Sequence, residues 1–385
     1  MNCYGFVGIL IAIIIFLKVK GMKVYSIHYL RGLAALFVVL FHFRGYLNNV
    51  YAQTNLGDLL FSKGAFGVDL FFVISGFIIC FATEKEECNA SLKFVIRRFF
   101  RIYPLLILSM SVYFLAVILR PESHDLVMWF IWSIIPLHVD YHSGAPFFGY
   151  NMLGIAWTLT YEISFYFIFL IAMSISHKYR MLISSIIIVS MVFITQMLSG
   201  SPTLDGLNNN YIINDFVTLI SSPIYIDFVY GIATYYIFKR FKLSENRKGG
   251  SILTAFLICT IIITISSIFL TKDSDHGPLS WGFMAFLIVL SMTLIEGTVK
   301  KYESSLLDIL GNVSFSLYMC HYIIIEIYNK YFHHESITGV SALVIMTTIS
   351  VMVSIILFRF VEMPSVSMSK KLTTLVDSIR AKEFA

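Results

Sequence analysis

Arg31 and His42 close the two ends of "RGLAALFVVLFH", a stretch that holds no other charge or strong hydrogen-bonding side chain. On a helix, eleven residues at about 100° each return both to one face, roughly 16 Å apart along the axis. Neither group is tolerated facing lipid without a partner or a water-filled cavity. An imidazole needs no tuning to act near neutral pH, so His42 is the candidate base or nucleophile. The bland alternative is that Arg31 snorkels and His42 hydrogen-bonds inside a bundle.

Further polar groups recur at the same depth. "GVDLFFVISGF" carries Asp69 and Ser75-Gly76, and the small pair lets a helix or ligand approach closely. In "RRFFRIYP", beside Arg97, the i, i+3 spacing of Arg98 and Arg101 points two guanidinium forks one way, an arrangement suited to phosphate oxygens. The same cluster also reads as an ordinary basic anchor. "WTLTYEISFY" sinks Glu162 into a span beside Trp157 and Tyr161, and an intramembrane carboxylate marks a functional site by default. Aromatic rings in a membrane are mostly core or interface belt. "GNVSFSLYMCH" ends on His321, and "FRFVEMP" holds Arg359 and Glu362, which can pair at the surface.

The elements that must position these groups follow from composition. The 385 residues are 58% hydrophobic and 13% charged, so long apolar runs dominate and water-soluble classes are excluded. The runs are continuous, not alternating, which favours helices over a β-barrel. The expected fold is all-α, a polytopic transmembrane helical bundle of about ten helices. Spans are expected near 27–49, 66–83, 102–119, 153–174, 181–198, 215–238, 251–270, 281–299, 309–328 and 338–359. Basic clusters at Lys93–Arg101, Lys178–Arg180, Lys239–Lys248 and Lys300–Lys301 then fall on one side, which the positive-inside rule makes cytoplasmic. The run from Met128 to Val139 breaks this alternation if it crosses, so it is expected to be re-entrant or interfacial.

Three regions follow: an apolar leader at 1–22, a transmembrane domain at 23–364 and a cytoplasmic tail at 365–385. The leader reads as an interfacial helix or an extension upstream of a start at Met22, although an extra crossing is the other option. The five cysteines show no paired spacing, so they are expected to pack and no metal is called for. Nothing suggests nucleic acid.

Taken together and in this order, the motifs resemble the acyltransferase-3 family of bacterial membrane acyltransferases, which modify surface polysaccharides and related glycans. The resemblance covers about residues 23–364. It implies transfer of an acyl group, usually acetyl, from cytoplasmic acyl-CoA to a sugar hydroxyl of a glycan such as O-antigen, capsule or exopolysaccharide, at the inner membrane. It also implies that Arg31, His42, Glu162, Arg98 and Arg101 are functional. On that reading Arg97, Arg98 and Arg101 meet the phosphates of acetyl-CoA, and Arg31 comes next along the path. Glu162 orients His42 if it approaches it, and otherwise holds the sugar. Trp157, Tyr161, Asp69, Ser75 and His321 are assigned to substrate. Some family members carry a hydrolase-like domain after the bundle; only about twenty residues follow Pro364 here, so the bundle alone is expected. His42 either deprotonates the acceptor or carries the acyl group as an acyl-imidazole.

A proton-coupled transporter or flippase would also bury His, Glu and Arg, yet would not need a phosphate-matching pair at one mouth. A non-catalytic sensor is disfavoured by the number of buried ionisable groups. With ten crossings after Met22, a reporter fused after Ala385 is expected to read cytoplasmic; a periplasmic signal overturns the layout.

Overall fold

The computed structural model describes residues 23–118, 125–135, 144–147, 151–198, 200, 202–207, 215–242, 250–271, 275–332 and 337–383. The leader 1–22 lies outside them. Among the described residues the regular structure is helical throughout: α1 (Tyr25–Phe43), α2 (Leu56–Phe61), α3 (Gly67–Ala82), α4 (Ala90–Tyr113), α5 (Asp125–Ile134), α6 (Trp157–Ile175), α7 (Arg180–Leu198), α8 (Asp215–Ile220), α9 (Tyr225–Lys242), α10 (Gly250–Leu270), α11 (Trp281–Leu294), α12 (Glu296–Lys301), α13 (Ser305–Tyr331), α14 (Gly339–Leu357) and α15 (Met363–Glu383). Nine of the described helical stretches are long and apolar enough to cross a membrane. The expected span at 281–299 is the shorter α11, which ends where Glu296 turns back to accept the backbone N–H groups of Tyr25 (2.7 Å) and Ser26 (2.8 Å). Those are orphan donors of the first turn of α1, so the break in one helix caps another.

Relative directions support ten crossings. Along α1 and α13, His28 meets Asp308, Arg31 meets Ser314 and His42 meets His321, so the two helices run parallel. Phe72 against Phe228, Phe77 against Tyr235 and Glu84 with Lys239 make α3 and α9 parallel as well. Lys93 with Asp377 and Arg101 with Glu362 make α4 and α15 antiparallel. All three relations hold if α11 crosses and α5 does not. At ten residues, α5 reaches only about 15 Å, half a hydrocarbon core, and exposes Val127, Met128, Ile131 and Trp132.

Three basic clusters gather at one end of the bundle, around the turn after α3. Lys239 pairs with Glu84 at 2.9 Å, Arg180 Nε donates to Thr83 Oγ1 at 3.1 Å, and Arg97 forks onto Glu87 with two bonds of 2.7 Å. The third span differs from expectation, since α4 begins at Ala90 and runs through Pro104. A proline ordinarily marks a helix boundary; here the turns before it are held by buried Lys93, paired with the exposed Asp377, and by the packing of Phe94 on Phe169. The chain past 359 also stays helical: a short π-helical stretch, Phe358–Glu362, joins α14 to α15, which packs on α4.

Two crossings depend on the absence of side chains. A Cβ on Gly32 would stand 2.7 Å from Gly311 N, and one on Gly231 would stand 2.0 Å from Val73 O, against a crossing already closed by Gly76. Small residues let backbones approach without a hydrophobic drive between helices in lipid. Gly231→Val is therefore expected to force α3 and α9 apart and to lower the melting temperature or yield in detergent sharply. Gly297→Ala, with nothing within 4 Å, should melt like wild type; equal behaviour of the two variants contradicts the packing argument.

Candidate active site

Two cavities meet inside the bundle. The first, of about 100 Å³, is lined by Arg31 of α1, Ser75 of α3, Arg98 and Arg101 of α4, Glu162 and Tyr166 of α6 and Ser314 of α13. Arg31 is held by Ser314 Oγ at 2.8 Å and the Gly311 carbonyl at 2.6 Å. Arg101 donates to Glu362 at 2.6 Å and lies over the Phe315 ring. Arg98 lies over the rings of Phe94 and Tyr166, its buried Nε makes no hydrogen bond, and among the described residues no carboxylate is within ion-pair distance. Glu162 accepts from Ser75 Oγ at 2.8 Å and from the Tyr166 hydroxyl. Three guanidinium groups against two carboxylates leave net positive charge in a small enclosed volume, and Arg98 is the fork still open to an anion.

The second cavity, of about 430 Å³, is lined by His42, Trp129, Asn151, Trp157, His276, Tyr322 and neighbouring apolar side chains. At its wall His42 Nδ1 lies 2.9 Å from the Val38 carbonyl and 3.2 Å from His321 Nε2, while His321 Nδ1 lies 3.0 Å from the Leu317 carbonyl. A carbonyl only accepts, so each Nδ1 carries a proton, and His321 Nε2 offers its lone pair to His42 Nδ1–H. This network leaves His42 Nε2 as a lone pair without a partner among the described residues, on the wall of the cavity. An imidazole so oriented suits proton abstraction or nucleophilic attack, with His321 ready to accept from the ring as it turns positive.

Val68 and Tyr318 line both cavities and form the neck between them. The Tyr318 hydroxyl is pinned within 2.9 Å of both Thr158 Oγ1 and the Ile155 carbonyl. Arg98 also borders a smaller cleft among Lys85, Glu87, Arg97 and His177 at the basic end. Shared lining residues thus link the basic-end cleft, the small cavity and the His42 cavity in that order: Arg98 first, then Val68 and Tyr318.

The acyltransferase domain model of the acyltransferase-3 family matches residues 24–359. The chain belongs to that family. It is 27% identical over 386 residues to an O-acetyltransferase OatA of Staphylococcus aureus strain NCTC 8325 / PS 47, covering 89% of this chain and 58% of that protein. A putative O-acetyltransferase of Staphylococcus aureus strain COL is 23% identical over 376 residues, with 91% and 58% coverage. The chain therefore spans a little over half the length of these relatives. No solved structure shows significant similarity.

In this acyltransferase-family bundle the residues singled out by sequence separate into two groups. Arg31, Ser75, Arg98, Arg101 and Glu162 share the small cavity; His42 and Trp157 share the large one. Glu162 does not orient His42: it sits one helical turn before Tyr166 and faces Ser75, while the Nδ1 side of His42 is closed by Val38 and His321. His321, expected at the substrate, is fully buried with both nitrogens engaged. Asp69 is fully buried on His276, and Tyr161 is fully buried with its hydroxyl 2.9 Å from the Pro146 carbonyl and 3.1 Å from Ser222 Oγ, so neither lines either cavity. Arg97 turns outward from the small cavity to Glu87. Glu362 is not a surface partner but a buried acceptor for Arg101 and for Ser316 N–H and Oγ–H. Tyr166, Tyr318 and His276 were not legible as site residues, since nothing in their spacing separates them from ordinary core or loop positions. Among the described residues, no three of His, Cys, Asp and Glu come together as metal ligands would.

The two arginine–glutamate pairs should differ in weight. Glu362 is 3% exposed, so Glu362→Ala leaves Arg101 and the Ser316 N–H without their partner, and a loss of about 3–5 kcal/mol is expected. Arg97→Ala breaks an open pair and should cost under about 1 kcal/mol. Thermal melts of both variants in detergent decide, and an equal loss contradicts the burial argument.

Proposed function

We propose that the chain moves an acyl group, most simply acetyl, from acyl-CoA to a hydroxyl of a glycan or lipid-linked glycan. The observation that carries this reading is the free His42 Nε2 on one side of a neck whose other side holds an unpaired guanidinium. The small cavity is too tight for a whole coenzyme A; it fits an anionic group and the thin thioester arm, with the nucleotide outside toward Lys85 and Arg97. Arg98 and Arg101 hold donor phosphate, and Arg31 carries the positive field inward toward Tyr318. The arm passes between Val68 and Tyr318, which brings the thioester carbonyl to His42.

The larger chamber takes the acceptor, where Trp157, Trp129 and Tyr322 offer ring faces to a sugar. Under the positive-inside rule the basic end faces the cytoplasm, where acyl-CoA is made, and the His42 chamber lies toward the far side. On this reading the chain works in a bacterial inner membrane and acts on a surface glycan such as O-antigen, capsule or exopolysaccharide. The relatives' names, O-acetyltransferase and putative O-acetyltransferase, support acetyl as the donor group.

Purified protein in lipid, given acetyl-CoA and candidate glycans, should release free thiol and acetylate the glycan. His42→Ala should lower turnover by about 10²–10⁴-fold at equal abundance. Arg98→Ala acts on contacts made equally in ground and transition states, so the donor KM should rise about ten- to hundredfold while saturated turnover changes much less. Arg98→Lys should restore only part of it, because a point charge lacks the fork. Acetyl-CoA binding without thiol release sinks the acyltransfer reading and leaves a transporter; an active His42→Ala moves the chemistry elsewhere.

A further inference from the structure

His42 is not the only imidazole on the wall of the larger chamber. His276, in the turn before α11, lines it as well, 6% exposed. Its Nδ1 lies 2.6 Å from Asp69 Oδ2, and the other Asp69 oxygen accepts the Gly277 N–H at 3.3 Å. Asp69 is fully buried at the start of α3 and adjoins the Asp227 carboxyl, which occupies space that a side chain on Gly282 would fill. The turn itself is specified: Gly277 has φ +134°, and Gly206 leaves room for the His276 carbonyl, 2.4 Å from where its Cβ would stand. Phe147, Trp157 and Trp281 surround the ring at centroid distances of 6.3, 6.0 and 5.0 Å. Nδ1–H is committed to Asp69, so Nε2 is the free nitrogen, without a protein partner among the described residues. A carboxylate behind Nδ1, fixing the tautomer and favouring the imidazolium, is the arrangement that makes a histidine a directed base.

We propose that the Asp69–His276 pair is the acceptor-side base, which takes the proton of the incoming hydroxyl and frees His42 to carry the acyl group. This deepens, and rests on, the acyltransferase reading above. In the first step His42 Nε2 attacks the thioester carbonyl carbon, the C–S bond breaks, coenzyme A departs as thiolate, and His42 Nδ1 passes its proton to His321 Nε2. In the second, the acceptor oxygen forms the C–O bond and the acyl–N bond breaks. The hydroxyl proton goes to His276 Nε2, and His321 returns its proton to His42. The thiolate and the His276 proton then balance as free thiol. Burial disfavours a charged His276, but the Asp69 carboxylate outweighs it and the pKa is raised, which suits a group that must receive a proton.

The two steps have separate readouts. With acetyl-CoA alone, wild type should release a rapid burst of about one thiol per protein. His276→Gln should keep that burst while transfer to a glycan alcohol falls about 10²–10⁴-fold. Hydroxylamine, a nucleophile that attacks as the neutral amine, should restore turnover in this variant because it needs no alcohol deprotonation. Asp69→Asn should show the same split in milder or equal degree, by presenting the wrong tautomer, and it keeps the proposal open to refutation if His276→Gln fails to fold. Full alcohol transfer in either folded variant overturns the proposal, as does loss of burst and of hydroxylamine transfer together. A wild type with no thiol release at all instead overturns the acyltransferase reading.

Discussion

The close parallel crossing of α1 and α13 is the constraint on which the rest depends. Gly32 and Gly311 let the two backbones touch, and everything chemical on α1 is then registered against α13: His28 on Asp308, Arg31 on Ser314 and Gly311, His42 on His321. In lipid no hydrophobic force draws such helices together, so close backbone contact and the hydrogen bonds it permits must hold the register. A shift of one turn would move Arg31 off its carbonyl and His42 off its partner ring together. The anion-facing and imidazole-facing ends of the site are therefore one mechanical unit.

Three carboxylates inside the bundle sit on donors: Glu362 has Arg101 and Ser316, Glu162 has Ser75 and Tyr166, Asp69 has His276 and Gly277, whereas the fully buried Asp227 carboxyl beside Asp69 has none among the described residues. Unpaired ionised groups at such depth cost several kcal/mol, so the exceptions carry the information. Arg98 keeps a guanidinium over aromatic rings without a carboxylate, and His42 and His276 each keep one free nitrogen on the same cavity wall. These open valences are where a ligand can add interactions that the protein withholds.

How much of this was legible in the sequence depends on the range of the interaction. Hydropathy indicated the bundle and its spans, because those depend on local composition, and the alternation of basic clusters argued against a crossing at α5. Arg31, His42, Arg98, Arg101 and Glu162 stood out because a polar group in an apolar run needs a reason. Which of them share a cavity was not legible, since that depends on contacts far apart in the chain, from 87 residues for Ser75–Glu162 to 283 for Arg31–Ser314. Carboxylates commonly back histidines, so Glu162 is expected either behind His42 or, if it does not approach it, on the sugar; the structure puts a second histidine behind His42 and the carboxylate with the arginines. His276 was hidden for the opposite reason: in a polar turn, "SDHGPLSW", one more polar residue raises no question until the fold brings Asp69 to it.

On the proposed reading the two cavities are consecutive stations for one donor. A structure of the protein in lipid with a non-transferable acyl-CoA analogue tests it most directly. The analogue's phosphate should lie within hydrogen-bonding distance of Arg98 and Arg101, its arm should pass Tyr318, and its acyl carbonyl carbon should come within about 3.5 Å of His42 Nε2. An analogue seated elsewhere, or one whose acyl end stops short of Tyr318 with the neck closed, would contradict it.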